Sequence, residues 1–402
     1  MIKKVPTTSL KVGMYIQDLA ADWSVHPFMR SSFPLKSDQE IDTIVGCGIH
    51  EVYIDTERGL DVPDAPTQEE VQRELDRQMI EAAQQTAMPV RVSYGEELGR
   101  ARAIKAQAAT LVRNVMADAR LGKAVAVESV EPLVAAITES ILRNSGALLG
   151  LMYIKNKDDY TFLHSVSVCT FMVAFCRSVG LDAATTHQAG LGGLLHDTGK
   201  ALVPDEILNK PGRLTDEEFA IMKRHPSDGH ALLLKTPGIG VIPLDITLHH
   251  HERIDGSGYP DQLAGEQIST LSKMAAIVDV YDAITADRCY HRGIPPTDAL
   301  RKIFEWSKYH FDPDLVKAFM RCVGIYPVGT LVLLESGRLG VVVEHNEQNL
   351  LAPRLKVFYD TKRGYIPPVE VDLARSMGRG GADKIISHES PQKWKVDPQR
   401  FL

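Results

Sequence analysis

The order of apolar and polar positions divides the chain into four textures. Over residues 1–65, short β-type runs at 12–16 and 52–54 are separated by turn residues and by one helical stretch at 37–46, which predicts a small α+β module. Residues 66–146 carry helical spacing. The stretch 68–86 is polar and rich in Gln and Glu. Pro89 and Gly95 break it, 97–119 is rich in Ala and Arg, Gly122 interrupts again, and 128–143 resumes the period. This reads as a helical linker region whose second helix is placed to pack. From 147 to 325 helix follows helix. Asp182 caps one, Thr215 and Glu218 form a capping box, Ser269 or Thr270 starts a long helix running to about Asp287, and Pro295-Pro296 precede another. After Tyr326-Pro327, β-branched residues gather at 330–334, 340–344 and 354–359, with Gly337 and Asn346 marking turns; 373–402 is polar and reads as irregular. The expected fold class is multidomain: a small α+β N-terminal module, an all-α domain over 147–325, and a short β-rich C-terminal segment over 326–402.

Composition narrows the function classes. Of 402 residues, 44% are hydrophobic, enough for packed cores and too many for a disordered chain. The net charge of −7 argues against a general nucleic-acid binder or a protein held on anionic membrane, so no DNA, RNA or membrane partner is expected. An anionic substrate would need a local positive site made of Lys, Arg or metal. The five cysteines, Cys47, Cys169, Cys176, Cys289 and Cys322, form no Cys-x-x-Cys pair and read as reduced thiols. Met-Ile-Lys-Lys-Val-Pro lacks the apolar stretch of a signal peptide, and no apolar run approaches the ~20 residues that cross a bilayer. A cytoplasmic location is expected.

The polar chemistry concentrates between 150 and 290. His164 lies on an amphipathic helix, His196-Asp197 closes the next, and His225 precedes Pro226, so its helix is expected to end there in extended backbone. His249-His250-His251-Glu252 follows. Asp279 sits in Ala-Ala-Ile-Val-Asp-Val-Tyr-Asp-Ala-Ile, where a carboxylate is costly to bury unless paired or metal-bound. A mononuclear zinc site needs three or four ligands, and here there are more candidates than one ion uses. Mixed imidazole and carboxylate donors suit Fe, Mn or Zn. Adjacent helical residues point about 100° apart, so His196 and Asp197 share one metal with difficulty. They fit a two-metal site if Asp197 bridges and His250 and His251 serve one metal each. Taken singly, each residue has a bland alternative: His164 a packed core histidine, His225 a cap, Asp279 and Asp282 buried salt-bridge partners, Lys200 a solvated lysine. His187, His230 and His249 read as structural.

The ordered set resembles the HD-GYP family of bacterial cyclic dinucleotide phosphodiesterases, a branch of the HD-domain metal phosphohydrolases. Tyr160-Thr161-Phe162-Leu163-His164-Ser165, His196-Asp197-Thr198-Gly199-Lys200, and His225-Pro226 with Gly229 resemble successive family motifs. The segment from His250 to Pro260 fills every specified position of the diagnostic HHE-x-x-DG-x-GYP pattern, and Asp279-Val280-Tyr281-Asp282-Ala283 and Arg288-Cys289-Tyr290 resemble the last ones. Residues 1–130 resemble an uncharacterised module common ahead of this domain.

The resemblance implies seven metal ligands: His164, His196, Asp197, His225, His250, His251 and Asp279, with Asp197 bridging and also catalytic. It implies Lys200 as a second catalytic residue, and Lys200 and Arg288 as phosphate contacts, although Cys289 replaces the usual Pro beside Arg288. The expected cofactors are two divalent ions, Fe before Mn. A third is not expected, because Tyr160 stands where some members carry an extra carboxylate. The expected reaction is two-metal hydroxide hydrolysis of cyclic di-GMP to pGpG, GMP or both. The loop Asp255, Gly256, Gly258, Tyr259, Pro260 is expected to shape the pocket edge, admit substrate, or dock a GGDEF-type cyclase. The alternatives are hydrolysis of cyclic GMP-AMP, and a low-turnover cyclic dinucleotide receptor or adaptor.

Overall fold

The computed structural model describes residues 1–21, 28, 32–82, 91–153, 160–210, 212, 214–286, 293–346, 349–375 and 383–402. In the N-terminal module, β1 (Ile2–Pro6), β2 (Tyr15–Asp18), β3 (Phe33–Pro34) and β4 (Glu51–Asp55) form an antiparallel sheet in the order β1-β4-β2-β3. Helix α1 (Asp38–Gly46) starts at a Ser37–Glu40 capping box. Val5, Ile16, Leu19, Ile44, Val52 and Ile54 close a small core of their own.

Helices α2 (Gln68–Ala82), α3 (Tyr94–Arg120) and α4 (Val127–Met152) follow. Gly95 does not break α3. It sits in the first turn behind the Ser93–Glu96 capping box, where a glycine costs least. Helix α4 runs past 143, bent where Asn144 leaves helical geometry and donates to the Val92 carbonyl at 3.0 Å. One apolar cluster holds Ala101, Val112, Ile137 and Ile141 together with Phe171, Phe175, Tyr281 and Phe319. These helices therefore share the core of the helices that follow.

Those are α5 (Tyr160–Ser178), α6 (Ala183–Leu195), a 3-10 turn (Thr198–Leu202), α7 (Asp205–Leu208), α8 (Asp216–Met222), α9 (His225–Leu233), α10 (Val241–His249), α11 (Thr270–Thr285), α12 (Pro296–Trp306) and α13 (Pro313–Val323). The glycines near the end of α6 set the spacing around the site. A Cβ on Gly192 would lie 2.7 Å from Ile246 Cδ1 of α10, and one on Gly193 3.2 Å from the Cys169 backbone of α5. Side chains there would push away the two helices that deliver His250 and His164.

The C-terminal segment is an antiparallel sheet of β5 (Leu331–Leu334), β6 (Arg338–Glu344), β7 (Arg354–Asp360), β8 (Gly364–Asp372) and β9 (Ile385–His388), ordered β8-β7-β6-β5-β9, ending in α14 (Pro391–Trp394). The expectation of an irregular tail over 373–402 is corrected here: β9 pairs with β5, Val332 opposite His388. Both unforeseen strands are edges, where polar residues and the prolines of β8 are tolerated. Among the described residues Cys47, Cys169, Cys176 and Cys322 are free thiols, and no helix is long and apolar enough to cross a membrane. Cys289 lies outside the described residues.

Candidate metal centre

The ends of four helices and the middle of a fifth converge on one point. Helix α5 carries His164, α6 ends at His196-Asp197, α9 begins at His225, α10 ends at His250-His251, and α11 holds Asp279. All seven side chains are buried. The expected difficulty of aiming both His196 and Asp197 inward disappears because α6 stops at Leu195. Asp197 has φ −97° and ψ 7°, which turns its carboxylate back beside His196, with Nε2 3.4 Å from Oδ2. His225 also departs from expectation. It opens α9 with Pro226 in the first turn, where the missing N–H has no intrahelical partner to lose.

Asp197 stands at the middle. Its Oδ2 lies 3.6 Å from His164 Nε2 and 3.4 Å from His196 Nε2; its Oδ1 lies 3.4 Å from His225 Nε2 and 3.8 Å from His250 Nε2. Asp279 Oδ1 is 3.0 Å from His164 Nε2, and its Oδ2 is 3.7 Å from His251 Nδ1. Three donor triplets, His164/His196/Asp279, His225/His250/His251 and His196/Asp197/His250, each lie within 4.8 Å of one another.

The outward nitrogens fix the rings. His196 Nδ1 donates to the Gly193 carbonyl at 2.8 Å, His225 Nδ1 to the Met222 carbonyl at 2.8 Å, and His250 Nδ1 to the Thr247 carbonyl at 3.0 Å. His164 Nδ1 meets the buried Asp282 carboxylate at 2.8 Å, so Asp282 is the salt-bridge partner the sequence suggested. A donating Nδ1–H leaves an Nε2 lone pair directed inward, which is the tautomer a metal requires. His196 Nε2, Asp197 Oδ1 and His251 Nδ1 are buried without a hydrogen-bond partner. Such groups are rare unless something else satisfies them, so the donor set fits divalent cations.

Electrostatics agree. Burial, reinforced by Lys200, pushes His225 down to about 4. Burial likewise holds His250 and His251 well below the usual imidazole range, so all three are neutral at neutral pH. Burial opposes charge on Asp197 and Asp279, yet the histidines around them, with Lys200 beside Asp197, hold both well below the carboxylate range. Burial would also lower His196, but the Asp197 and Asp279 carboxylates beside it lift it to about 10.

The 255–260 loop walls the centre. Gly256 adopts φ +80°. The Tyr259 ring lies over His251 at 4.7 Å and 32°, and the Tyr259 N–H reaches the His251 carbonyl at 3.3 Å. Glu252, raised by burial, accepts from the Asp261 and Leu263 N–H groups at 2.8 and 3.0 Å and braces the loop's far end.

Comparison with known proteins now adds to this geometry. A model of the HD domain family matches residues 152–315, and one described as a domain of unknown function (DUF3391) matches 2–130. A cyclic di-GMP phosphodiesterase of Pseudomonas aeruginosa is 44% identical over 98% of this chain and 94% of its own length. This chain belongs to the HD-GYP family. A 3'3'-cGAMP-specific phosphodiesterase of Vibrio cholerae is 38% identical over 36% of the chain and 33% of its own length. An HDG"Y"P protein of Bdellovibrio bacteriovorus has a related structure, with TM-score 0.48, 19% identity, and coverage of 79% of this chain and 98% of that one.

The remaining HD-GYP positions fall as follows. Lys200 Nζ donates to Asp197 Oδ2 at 2.6 Å with its side chain 20% exposed, so it is ion-paired within the centre and also reaches its mouth. Arg288 lies outside the described residues, and Tyr160 opens α5 but its side chain is outside them too. Two roles escaped the sequence. Gly199 and Gly229 are contact points: a Cβ on Gly199 would lie 1.9 Å from the His225 carbonyl oxygen. Their signal is the glycine in each short motif. The carbonyls that orient the histidines carry no sequence signal, because any residue supplies one.

Proposed function

We propose that this protein hydrolyses cyclic di-GMP to pGpG, GMP or both using two divalent cations, iron or manganese. The observation that carries the reading is the split of Asp197, one oxygen toward His164 and His196, the other toward His225 and His250. On this reading His164, His196 and Asp279 would hold one cation and His225, His250 and His251 the other, so His250 and His251 fall together rather than one to each ion as the sequence suggested, with Asp197 between the two sets. Such ions acidify water and draw charge from a phosphoryl group. The chain's own residues do the rest. The four Nδ1 contacts hold the imidazoles in the binding tautomer. Lys200, at the mouth of the centre, offers a cation to a phosphate oxygen, and Arg288 is assigned the second phosphate contact from its motif. The Tyr259 ring holds His251 in place and closes one wall against water. Similarity to a named cyclic di-GMP phosphodiesterase along nearly the whole chain supports the substrate.

A second substrate, cyclic GMP-AMP, is favoured by the similarity to a 3'3'-cGAMP-specific enzyme over 36% of the chain. One experiment addresses both. Purified protein is loaded anaerobically with Fe(II) or Mn(II) and given each dinucleotide, beside Asp197→Ala, with products resolved by chromatography. Linear product from cyclic di-GMP in the wild type and none in the variant is expected. Fully metallated wild type that leaves both dinucleotides intact overturns the hydrolase reading in favour of a receptor.

A further inference from the structure

The N-terminal module is docked onto the catalytic helices through charged pairs that the centre does not use. Glu305 of α12 meets Lys4 Nζ at 2.8 Å and accepts from the Tyr53 hydroxyl at 2.6 Å; Lys302 meets Asp18 at 2.9 Å and Lys308 meets Glu51 at 2.7 Å. This anchoring brings the 47–50 turn, between α1 and β4, against the 255–260 loop. Gly48, at φ +71°, lies so near the loop that a Cβ there would stand 2.6 Å from Ser257 Cβ and 3.8 Å from Asp255 Oδ2. His50 Nε2 is 3.4 Å from Asp255 Oδ2, and its ring stacks on Tyr309 at 4.2 Å. His310 Nε2 donates to the Gly48 carbonyl at 3.3 Å, while the His310 carbonyl accepts from the Ile254 N–H at 3.1 Å.

From that contact to the metal centre the path is short and packed. Asp255 Oδ1 accepts from Ser257 N–H at 3.0 Å and from Ser257 Oγ at 2.6 Å, which fixes the turn. Gly258 is pressed on the strand of chain behind His251: a Cβ there would lie 2.6 Å from the His251 carbonyl oxygen. Tyr259 then lies on the His251 ring. We propose that the 47–50 turn of the N-terminal module is a positioning element for this loop, with Gly48 and His50 as positioning residues that set Tyr259, and through it His251, from outside the catalytic domain. The module whose function has no assignment is thereby given one: it holds the wall of the active site. The consequence for catalysis rests on the hydrolase reading above; the consequence for loop order does not.

The test uses the full-length protein and two readouts. Gly48→Ala drives a methyl into Ser257, and Ser257→Gly removes the atom it strikes. The strain of a side chain at φ +71° is present in both the single and the double variant, so rescue isolates the docking contact. By hydrogen exchange, amides of 255–259 in Gly48→Ala are expected to exchange about tenfold faster than in wild type, with α5 and α11 unaffected. The Gly48→Ala/Ser257→Gly variant is expected to return toward Ser257→Gly alone. His50→Ala is expected to loosen the same amides by a smaller factor, and His50→Gln, which keeps an N–H donor, to restore part of it. In turnover of cyclic di-GMP, Gly48→Ala is expected to lose about tenfold to a hundredfold in kcat/KM at unchanged metal content, as for a misplaced reacting group. Loop exchange identical in Gly48→Ala and wild type, or a double variant no better than the single one, overturns the proposal. Wild type that fails to turn over cyclic di-GMP defeats the hydrolase reading alone, and the exchange comparison still decides the positioning role.

Discussion

The tightest joint of the metal centre is the contact between Gly199 and the first turn of α9, and adding one methyl there tests how the centre is built. In Gly199→Ala the new Cβ would sit 1.9 Å from the His225 carbonyl oxygen and 2.5 Å from the Gly229 nitrogen, both backbone atoms that cannot rotate away. A carbon and a carbonyl oxygen approach to about 3.3 Å, so roughly 1.4 Å must open between the 3-10 turn and α9. His225 rides on α9, and its Nε2 is 3.4 Å from Asp197 Oδ1. A shift of that size separates donors that one cation must span, and a misplacement of about 1 Å at a reacting centre costs on the order of a hundredfold in rate. Overpacking adds about 1–3 kcal/mol of destabilisation. Gly229→Ala is the internal comparison. Its Cβ would meet the Gly199 nitrogen at 2.9 Å and the rotatable Thr247 methyl at 3.1 Å, so only a few tenths of an ångström are missing. The assay combines bound metal by elemental analysis, urea unfolding, and cyclic di-GMP turnover. Gly199→Ala should lose metal and turnover well beyond its loss of stability, and Gly229→Ala should lie between it and wild type. Wild-type metal content and rate in Gly199→Ala, or a reversed order of the two variants, refutes the reasoning.

Further outcomes follow from other contacts. Asp282→Asn removes the carboxylate at His164 Nδ1, and metal affinity should fall about 10–100-fold in Mn(II) titrations of the stripped protein. Chelation of a metal-loaded sample should lower its melting temperature and Mn(II) restore it, because ions that bind only the folded state stabilise it by mass action. Glu97, with a fully buried side chain, is clasped by Arg143 at 2.7 and 2.9 Å, and Glu97→Gln should cost about 1–3 kcal/mol in urea unfolding at pH 7. Burial opposes its charge, but Arg143 holds the Glu97 carboxyl below the usual value. A depressed folded value means this stability is fully present above the unfolded carboxylate range and is lost as pH falls through the folded value. The difference between wild type and Glu97→Gln should therefore shrink below about pH 4; a difference that grows there would contradict the ion pair.

That these histidines and aspartates come together was legible because they sit in short motifs whose residue types have few other uses when they occur together. What the sequence could not convey is how a helix end redirects a side chain. At the His196-Asp197 pair the 100° rule fails because the helix stops one residue earlier. At His225, the bias of a residue before proline toward extended backbone gave way to a new helix that uses Pro226 in its first turn. Strand β8 carries Pro367 and Pro368, which cannot donate to a sheet ladder and weaken its strand signal. The pairing with β7 slips between Val357 and Tyr359, and the strand has a free edge on the other side. Docking of the N-terminal module was least legible. Lys4, Asp18 and Glu51 look like solvated surface charges, and their partners on α12 and just beyond it lie more than 250 residues away.

The charge balance ties metal to substrate. The chain carries a net −7, and its centre adds three buried carboxylates, Asp197, Asp279 and Asp282, against the single ammonium of Lys200, which Asp197 already holds at 2.6 Å. A cyclic dinucleotide brings two phosphodiester charges, and like charges in a poorly solvated site repel strongly. Under the proposed function, divalent cations held by these histidines and carboxylates would reverse the sign of the pocket. The residues that would hold the ions and the attraction that would draw the substrate then form one electrostatic system. This is how a protein of net negative charge can be built for a dianionic substrate.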